Sequence, residues 1–388
     1  MKSPKTSAEM LEEKAKTKAF KGLDVVERFV YESSLLKFLT VIAALSLVRV
    51  GIWAIPNLQV QLLIAQHPFQ NPLTDPNQNY LLWNWLAPLI AKLVHATSIR
   101  RFFLLHLIFS IAFSAGFIKI LLGRLDKRAS RTAIVLFFLF PASITSYFWV
   151  GYDSCTLLLM MLAIAVARFN YWPLFVGVLL GMQHFEQSFC AAMALLLALM
   201  LGGNPEQPFG KKWTILVLSG VVLGKILLQL IFLKHHIHVN SGRVYWLDTF
   251  FTVMLKQFWF HMHYILWSAL GLGWVLVFKS LDDGKKALPY LIPLFALLLL
   301  MPISGDQTRV FAVTSFLLIS VYWILNPKFL DGLDGRVVAG LFLLSNAMPL
   351  AWVWGGQPRW SSFPFDVTLV LHNFFGWFSI PNLQFWPF

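Results

Sequence analysis

Long apolar segments recur along the whole 388-residue chain, and this pattern limits the fold more than any other feature. An α-helix needs about 20 mostly apolar residues to cross the hydrocarbon core of a bilayer. Hydrophobic residues make up 58% of the chain and charged residues only 13%, which excludes an ordinary soluble domain. The sequence therefore predicts an all-α, polytopic membrane protein. The net charge of +13 is typical of basic cytoplasmic loops, so we expect membrane lipids and no nucleic acid as partners.

The positions of Lys and Arg predict the topology. The Lys-rich residues 1–35 are expected to form a cytoplasmic arm before a first span at Leu36–Ile55. The next apolar stretch is Tyr80–Ser98, within "NPLTDPNQNYLLWNWLAPLIAKLVHATSIRR" (residues 71–101). If it crossed the membrane, most later basic loops would face outside, whereas a helix lying flat on the outer surface returns them to the cytoplasm. The positive-inside rule favours this interfacial helix, in a first outer loop of residues 56–101.

The remaining apolar segments bring the total to about eleven predicted spans in a single domain, residues 1–388. The C-terminal tail, residues 356–388, is expected on the outer side. The predicted spans after the first are 102–122, 132–149, 154–168, 171–184, 188–202, 213–234, 257–278, 287–303, 309–325 and 337–355.

Three of these spans are unusually short. Residues 153–203 must cross three times, although three full crossings need about 60 residues. Irregular backbone at membrane depth is tolerated where it lines a cavity. The turn "GMQHFEQSFC" is therefore expected to form the recessed floor of a pocket that opens to the outside.

Uncommon polar residues collect on the predicted outer side. Asp75, in "NPLTDPNQNY", is either an ordinary turn residue or a general base. The pair Tyr152–Asp153, in "WVGYDSC", begins a short helix and is either a cap or part of a site. In "MQHFEQSF", His184 and Glu186 are hard to explain by packing alone, since apolar hairpins turn without such residues.

Two further segments could bind phosphate. In "KHHIHVNSGRVYW", Lys234, His236 and Arg243 form either a cationic surface for phosphate or a solvated loop. In "SGDQTRVF", Asp306 and Arg309 are spaced i, i+3, as in a simple salt bridge. Alternatively, Arg309 is a bidentate phosphate ligand that Asp306 orients.

This arrangement resembles the GT-C class of integral membrane glycosyltransferases. The features that carry the resemblance are the cytoplasmic N-terminus, the acid-bearing first outer loop ("LTDPNQNY") and the amphipathic helix "YLLWNWLAPLIAKLV". The short-span hairpin "ARFNYWPLFVGVLLGMQHFEQSFCAAMALLLALM" is similar too. A soluble C-terminal domain like that of the larger members is not expected from this sequence. Many members carry a pair of acids in the first loop, whereas this chain has Asp75 alone.

The resemblance implies inverting transfer of a sugar from a polyprenyl-phosphate donor, on the outer face, to a lipid, glycan or protein acceptor. A carboxylate would deprotonate the acceptor hydroxyl. Asp75 is the first candidate for this base, and Asp153 and Glu186 are the alternatives, with His184 beside them.

The donor phosphate and the sugar need further partners. Arg309 and Arg243 are the candidates for neutralising the leaving phosphate. Tyr152, Tyr245 and Trp246 are candidates for stacking on the sugar. No cofactor is certain: some members of the class use a divalent metal, so Mg²⁺ or Mn²⁺ is left open, and the histidines and acids show no clear ligand set.

Other functions fit parts of the sequence. A transporter or flippase of an anionic lipid or solute would explain Arg49 and Lys225 within predicted spans. Against it, the suspect residues cluster on one face and the two halves show no inverted repeat. A polymerase or ligase of polyprenyl-pyrophosphate glycans is a third class, but it usually has a larger outer loop. The expected location is a bacterial plasma (inner) membrane.

Overall fold

The computed structural model describes residues 21–239, 242–348, 351–354 and 357–360. Most of the predicted cytoplasmic arm and the tail from residue 361 onward lie outside these residues. The helices are α1 (Lys21–Glu32), α2 (Leu35–Val50), α3 (Leu58–Gln66), α4 (Leu86–Leu93), α5 (Ile99–Arg124), α6 (Lys127–Leu139), α7 (Pro141–Phe148), α8 (Tyr152–Ala165), α9 (Trp172–Met200), α10 (Lys211–Lys234), α11 (Gly242–Leu270), α12 (Trp274–Leu281), α13 (Leu288–Leu298), α14 (Gln307–Ile319), α15 (Pro327–Asp331) and α16 (Gly335–Ala347).

The predicted all-α class is confirmed, and some of the helices are long enough to cross a membrane. Within the described residues, four helices are long and apolar enough to cross, and up to six if two bent pairs each form one span. The larger bend, 118°, separates α1 from α2. The total of about eleven spans stays a prediction. The four helices are Ile99–Arg124, Lys211–Lys234, Phe250–Leu281 and Gln307–Ile324.

The first loop does not contain one continuous interfacial helix. A 3₁₀ helix covers Pro76–Trp83, and α4 starts only at Leu86. Pro88 has no N–H and is tolerated only near a helix start, which accounts for the separation. The prediction of one helix over Tyr80–Ser98 is therefore wrong in its length. Neither piece, at eight residues each, is long enough to span a bilayer.

The last predicted span is also shorter than expected. Helix α16 ends at Ala347, and residues predicted to continue it form strand β1 (Ala351–Trp354). Strand β2 (Gln357–Trp360) pairs with it antiparallel. The β-branched and aromatic residues of "AWVW" favour a strand. The buried Val353 N–H donates to Thr308 Oγ1 at 2.9 Å, which ties the hairpin to the start of α14.

Two glycine pairs bring α9 and α10 into backbone contact. On α9, Gly177 and Gly181 face Gly220 and Gly224 of α10, and each pair has the GxxxG spacing of closely packed membrane helices. A Cβ added at Gly181 would collide with the carbonyl oxygen of Val221. A backbone atom cannot rotate aside as a side chain can, so these positions require glycine.

We expect Gly181→Ala to lower the free energy of unfolding by about 1–3 kcal/mol, because the added methyl group must push the two helices apart. Gly123→Ala is the matched control, since a Cβ there meets nothing within 4 Å. Alanine at that helical position should be neutral or should stabilise by up to about 1 kcal/mol. Thermal unfolding midpoints in detergent compare the variants. Equal midpoints would contradict the close approach.

Helix α9 reverses direction at His184. This residue interrupts the helical backbone, with φ −159° and ψ 83°. The glycine pairs match in ascending order, so the arm before the break runs parallel with α10. After the break the chain returns to the end of the bundle where α10 starts, and Gly203 lies there against Tyr322. The turn predicted within "GMQHFEQSFC" is therefore present. It lies at the end of the bundle opposite to the start of α10.

Candidate active site

A cavity of about 510 Å³ lies at the end of the bundle where α9 turns. Its walls come from the first loop, the starts of α8 and α14, the break in α9 and strand β1. This volume is typical of small-molecule sites. Five of the residues singled out from sequence alone line it together. The charged and titratable lining residues are Tyr80, Tyr152, His184, Glu186, Cys190, Asp306 and Arg309.

Arg309 joins the starts of two helices. Its Nη1 donates to Asp153 Oδ2 at 2.8 Å and to the Tyr152 hydroxyl oxygen at 2.5 Å. Its Nε donates to Asp306 Oδ2 at 2.7 Å. The side chains are nearly buried, with 12% of Arg309 and 1% of Asp153 exposed. Charged hydrogen bonds of this length are strong where water is excluded. The Arg309 cluster, which consists of Arg309, Tyr152, Asp153 and Asp306, therefore fixes α8 against α14.

The local sequence explains why these groups meet. Asp153 lies in the first turn of α8, where the helix dipole favours a carboxylate. The segment before α8 is fastened to the first loop, since Ile55 N–H donates to the Val150 carbonyl at 3.1 Å. Gly151 permits this approach, because a Cβ there would overlap the Ile55 side chain. The first loop and the start of α8 are thus held as one wall.

The Arg309 cluster has one more carboxylate than it has cations. Asp153 keeps a buried Oδ1 with no hydrogen-bond partner in the described part of the chain, while the Asp306 carboxyl also interacts with the Arg309 backbone and the Trp352 side chain. Burial raises the pKa of the Asp306 carboxyl, and the adjacent Arg309 guanidinium opposes that rise. The guanidinium is already neutralised by protein groups. This geometry favours an internal anchoring role for Arg309 over the phosphate contact that its sequence suggested.

His184 and Glu186 line the cavity at the break in α9, and the His184 ring lies 5.9 Å from the Tyr152 ring. His184 Nδ1 lies 3.6 Å from Glu186 Oε2. The side chain of Glu186 is 34% exposed, against 4% for His184 and 14% for Asp306. Glu186 is therefore the more accessible of the two carboxylates in the cavity lining. A substrate hydroxyl in the cavity could reach it without disturbing the Arg309 cluster.

Buried Gln183 holds the break in α9 against its neighbours. Its Oε1 accepts the Ala87 N–H of α4 at 2.8 Å, and its Nε2 donates to the Tyr152 carbonyl at 3.0 Å. The Ala87 N–H lies in the first turn of α4 and has no partner within that helix. One side chain therefore connects the first loop, α8 and the turn.

We expect Gln183→Leu to destabilise the protein by about 1–3 kcal/mol, because leucine leaves the buried Ala87 N–H without an acceptor. Gln229→Leu is the control, since Gln229 is exposed on α10 and should change stability by less than about 0.5 kcal/mol. Thermal unfolding in detergent measures both. A similar midpoint for the two variants would show that Gln183 does not hold the turn.

The other predicted site residues lie elsewhere or are not described. Asp75 caps the 3₁₀ helix, where its Oδ1 accepts the Asn77 N–H at 2.9 Å, and it is absent from the cavity lining. Asp153 lies behind the lining, on Arg309. Lys234 and His236 are exposed at and just beyond the end of α10. The side chains of Arg243 and Tyr245 lie outside the described residues.

Of the four tyrosine and tryptophan rings in the cavity lining, the sequence singled out Tyr152 and missed the other three. Tyr80 comes from the 3₁₀ helix, Trp149 from the end of α7 and Trp354 from β1, and all three line the cavity. Trp149 stands in the same "WVGYDSC" segment as the flagged pair, which was the available signal. Nothing in the sequence pattern connects Trp354 with residues some 200 positions earlier, because a strand was not predicted there.

No preformed metal centre is visible in the described ranges: no three His, Cys, Asp or Glu side chains there are grouped to hold an ion. The use of Mg²⁺ or Mn²⁺ stays open. Cys155 is buried, Cys190 is partly buried, and both are free thiols. In comparisons with known proteins, no family model, no curated protein and no solved structure matched this chain.

Proposed function

We propose that this protein is a membrane glycosyltransferase that moves a sugar from a polyprenyl-phosphate donor to an acceptor hydroxyl. One observation carries the proposal: a cavity of about 510 Å³ combines two carboxylates with four tyrosine and tryptophan rings at one end of a helical bundle. Aromatic faces suit the apolar faces of a sugar, and carboxylates suit its hydroxyls. The end of the bundle with the cavity is the outer end in this proposal, as the basic residues of the sequence suggest.

Glu186 is the general base in this proposal. Its carboxylate takes the proton of the acceptor hydroxyl as that oxygen attacks the anomeric carbon. The bond from the anomeric carbon to the phosphate oxygen breaks, and polyprenyl phosphate leaves with the bonding electrons. A single displacement of this kind inverts the anomeric configuration. His184 Nδ1 lies 3.6 Å from the carboxylate, and in this proposal the imidazole helps to position it.

Tyr152 and Asp306 of the Arg309 cluster are proposed to form hydrogen bonds with the substrate. The Tyr152 oxygen accepts a hydrogen bond from Arg309, so its own hydroxyl proton is available to donate. Tyr152 lines the cavity, and its hydroxyl group would donate a hydrogen bond to a sugar or phosphate oxygen there. Asp306 is held by Arg309 and serves as a hydrogen-bond acceptor for sugar hydroxyls.

Transport is the competing function, and the two cations inside predicted spans were its main support. Arg49 donates from Nε to the Met348 carbonyl at 2.9 Å, which is a structural contact. Lys225 Nζ lies 3.1 Å from the centroid of the Trp83 ring. Neither position by itself favours a path across the membrane over local stabilisation, so glycosyl transfer remains the proposal.

The direct test is release of polyprenyl phosphate from a panel of polyprenyl-phosphate sugars by protein in lipid nanodiscs. A crude lipid and glycan extract supplies the acceptor. We expect release that depends on acceptor and saturates with donor. Flux of the same lipids between leaflets without any release would contradict a transferase and favour a flippase.

A further inference from the structure

Gln187 is a buried amide in the cavity lining that the proposed reaction does not use. Only 5% of this residue is exposed, and its Oε1 has no hydrogen-bond partner in the described part of the chain. Buried polar groups are nearly always hydrogen-bonded, because an unmet one lowers stability. Gln183, four residues earlier, shows the usual arrangement, since both ends of its amide are bonded. The Gln187 oxygen is therefore placed to accept a hydrogen bond from a ligand in the cavity.

The cavity extends from the turn into the bundle between α9 and α14. Its lining runs along α9 from the break to Cys190 and along α14 from the first turn to Thr314. At a rise of about 1.5 Å per residue, each stretch reaches about 8 Å along its helix. The inner end of the cavity is here called the recess, and its lining residues are Gln187, Cys190, Val310 and Thr314.

The other recess residues offer small, largely apolar surfaces. The Thr314 hydroxyl donates to the Val310 carbonyl at 2.8 Å, within its own helix, so its proton is already used. Val310 is aliphatic, and a cysteine thiol packs as a small hydrophobic group. A ligand group that fits the recess therefore needs one hydrogen-bond donor for Gln187 and a small apolar part for the remaining surface.

We propose that the recess binds the acetamido group of a 2-acetamido sugar and that Gln187 determines this specificity. The inference rests on the proposed function, which puts the donor sugar in this cavity. The acetamido N–H can donate to Gln187 Oε1, and the methyl group can pack against Cys190 and Thr314. A hydroxyl group at the same carbon also carries a proton, but it leaves the apolar surface of the recess unfilled.

The 2-position agrees with the place of the recess beside the proposed base. Glu186 precedes Gln187 in the chain and lines the same cavity. The anomeric carbon, which the acceptor attacks, is bonded directly to C2. A substituent at C2 can therefore enter the recess while the reacting carbon stays near Glu186, whereas a substituent at C4, across the ring, would draw that carbon away.

The test is binding of the methyl glycosides of N-acetylglucosamine and of glucose, which differ only at C2, to the full chain in lipid nanodiscs. Saturation-transfer NMR titrations give both affinities. We expect the wild type to bind the acetamido sugar about 10-fold more tightly, as one hydrogen bond and a buried methyl group imply.

Gln187→Leu should remove this preference and leave the affinity for the glucoside within about twofold. Its thermal unfolding midpoint should be no lower than that of the wild type, because leucine removes a buried oxygen that has no partner. Cys190→Leu, which fills the recess, should weaken binding of the acetamido sugar alone. Gln229→Leu, the same change as in Gln187→Leu at an exposed site of α10, should leave both affinities unchanged.

Three results would overturn the assignment. They are no binding of either glycoside, equal or tighter binding of the glucoside by the wild type, and a preference that persists in folded Gln187→Leu protein. The proposed function is judged separately by release of polyprenyl phosphate. Release from the glucose donor with no preference for the acetamido donor would leave the transferase and reject the recess. A Gln187-dependent preference without release from any donor would leave a sugar-binding recess and reject the transferase.

Discussion

Glu186→Gln is expected to reduce sugar transfer about 10²- to 10⁴-fold while donor binding stays within a few fold. Glutamine keeps the size and the hydrogen-bonding oxygen of the side chain but cannot take a proton. The measurement is the rate of polyprenyl phosphate release at saturating donor, with binding determined on the same protein. Glu206→Gln is the matched control, because Glu206 pairs with Lys328 on the surface and is absent from the cavity lining.

Asp75→Asn separates this assignment from the one suggested by sequence. Asparagine caps helices about as well as aspartate, so the contact to the Asn77 N–H should survive. If Asp75 only caps the 3₁₀ helix, transfer should stay within a few fold of wild type. A loss in Asp75→Asn as large as that expected for Glu186→Gln, in folded protein, would return the role of base to the first loop.

The sequence predicted the helical class and the turn in α9 because both depend on local patterns. Apolar runs determine which segments are helices, and "MQHFEQSF" stands out because its polar residues interrupt such a run. Those residues do line the cavity. The local sequence could not predict whether Asp75 lines the cavity, because Asp followed by Pro is equally compatible with a helix cap and with a functional site.

Long-range pairing accounts for most of what the sequence left undecided. Asp306 and Arg309 were recognised as an i, i+3 pair, but their contact with Asp153 joins residues about 150 positions apart. No local pattern encodes such a contact. The same holds for Trp354, which reaches the cavity through a strand in a segment that reads as the end of a helix. The partners of buried charged residues are therefore the feature that sequence patterns predict least well.

Arg309→Met is expected to be the most destabilising of the changes considered, at about 3–5 kcal/mol in the free energy of unfolding. Methionine fills a similar volume but leaves Asp153 and Asp306 buried without their cation. Asp153→Asn should cost much less, about 1–2 kcal/mol, since the amide oxygen still accepts from Arg309 and the excess negative charge disappears. Removing the cation of this ion pair is thus expected to lower the free energy of unfolding more than neutralising its carboxylate.

Unfolding of the purified protein in detergent, by heat and by denaturing surfactant, measures this asymmetry. Lys279→Met is the control, because the Lys279–Asp282 pair is exposed, at 43% and 69%, and should be worth less than about 1 kcal/mol. Equal losses for Arg309→Met and Asp153→Asn would mean that the cluster is held by its hydrogen bonds alone.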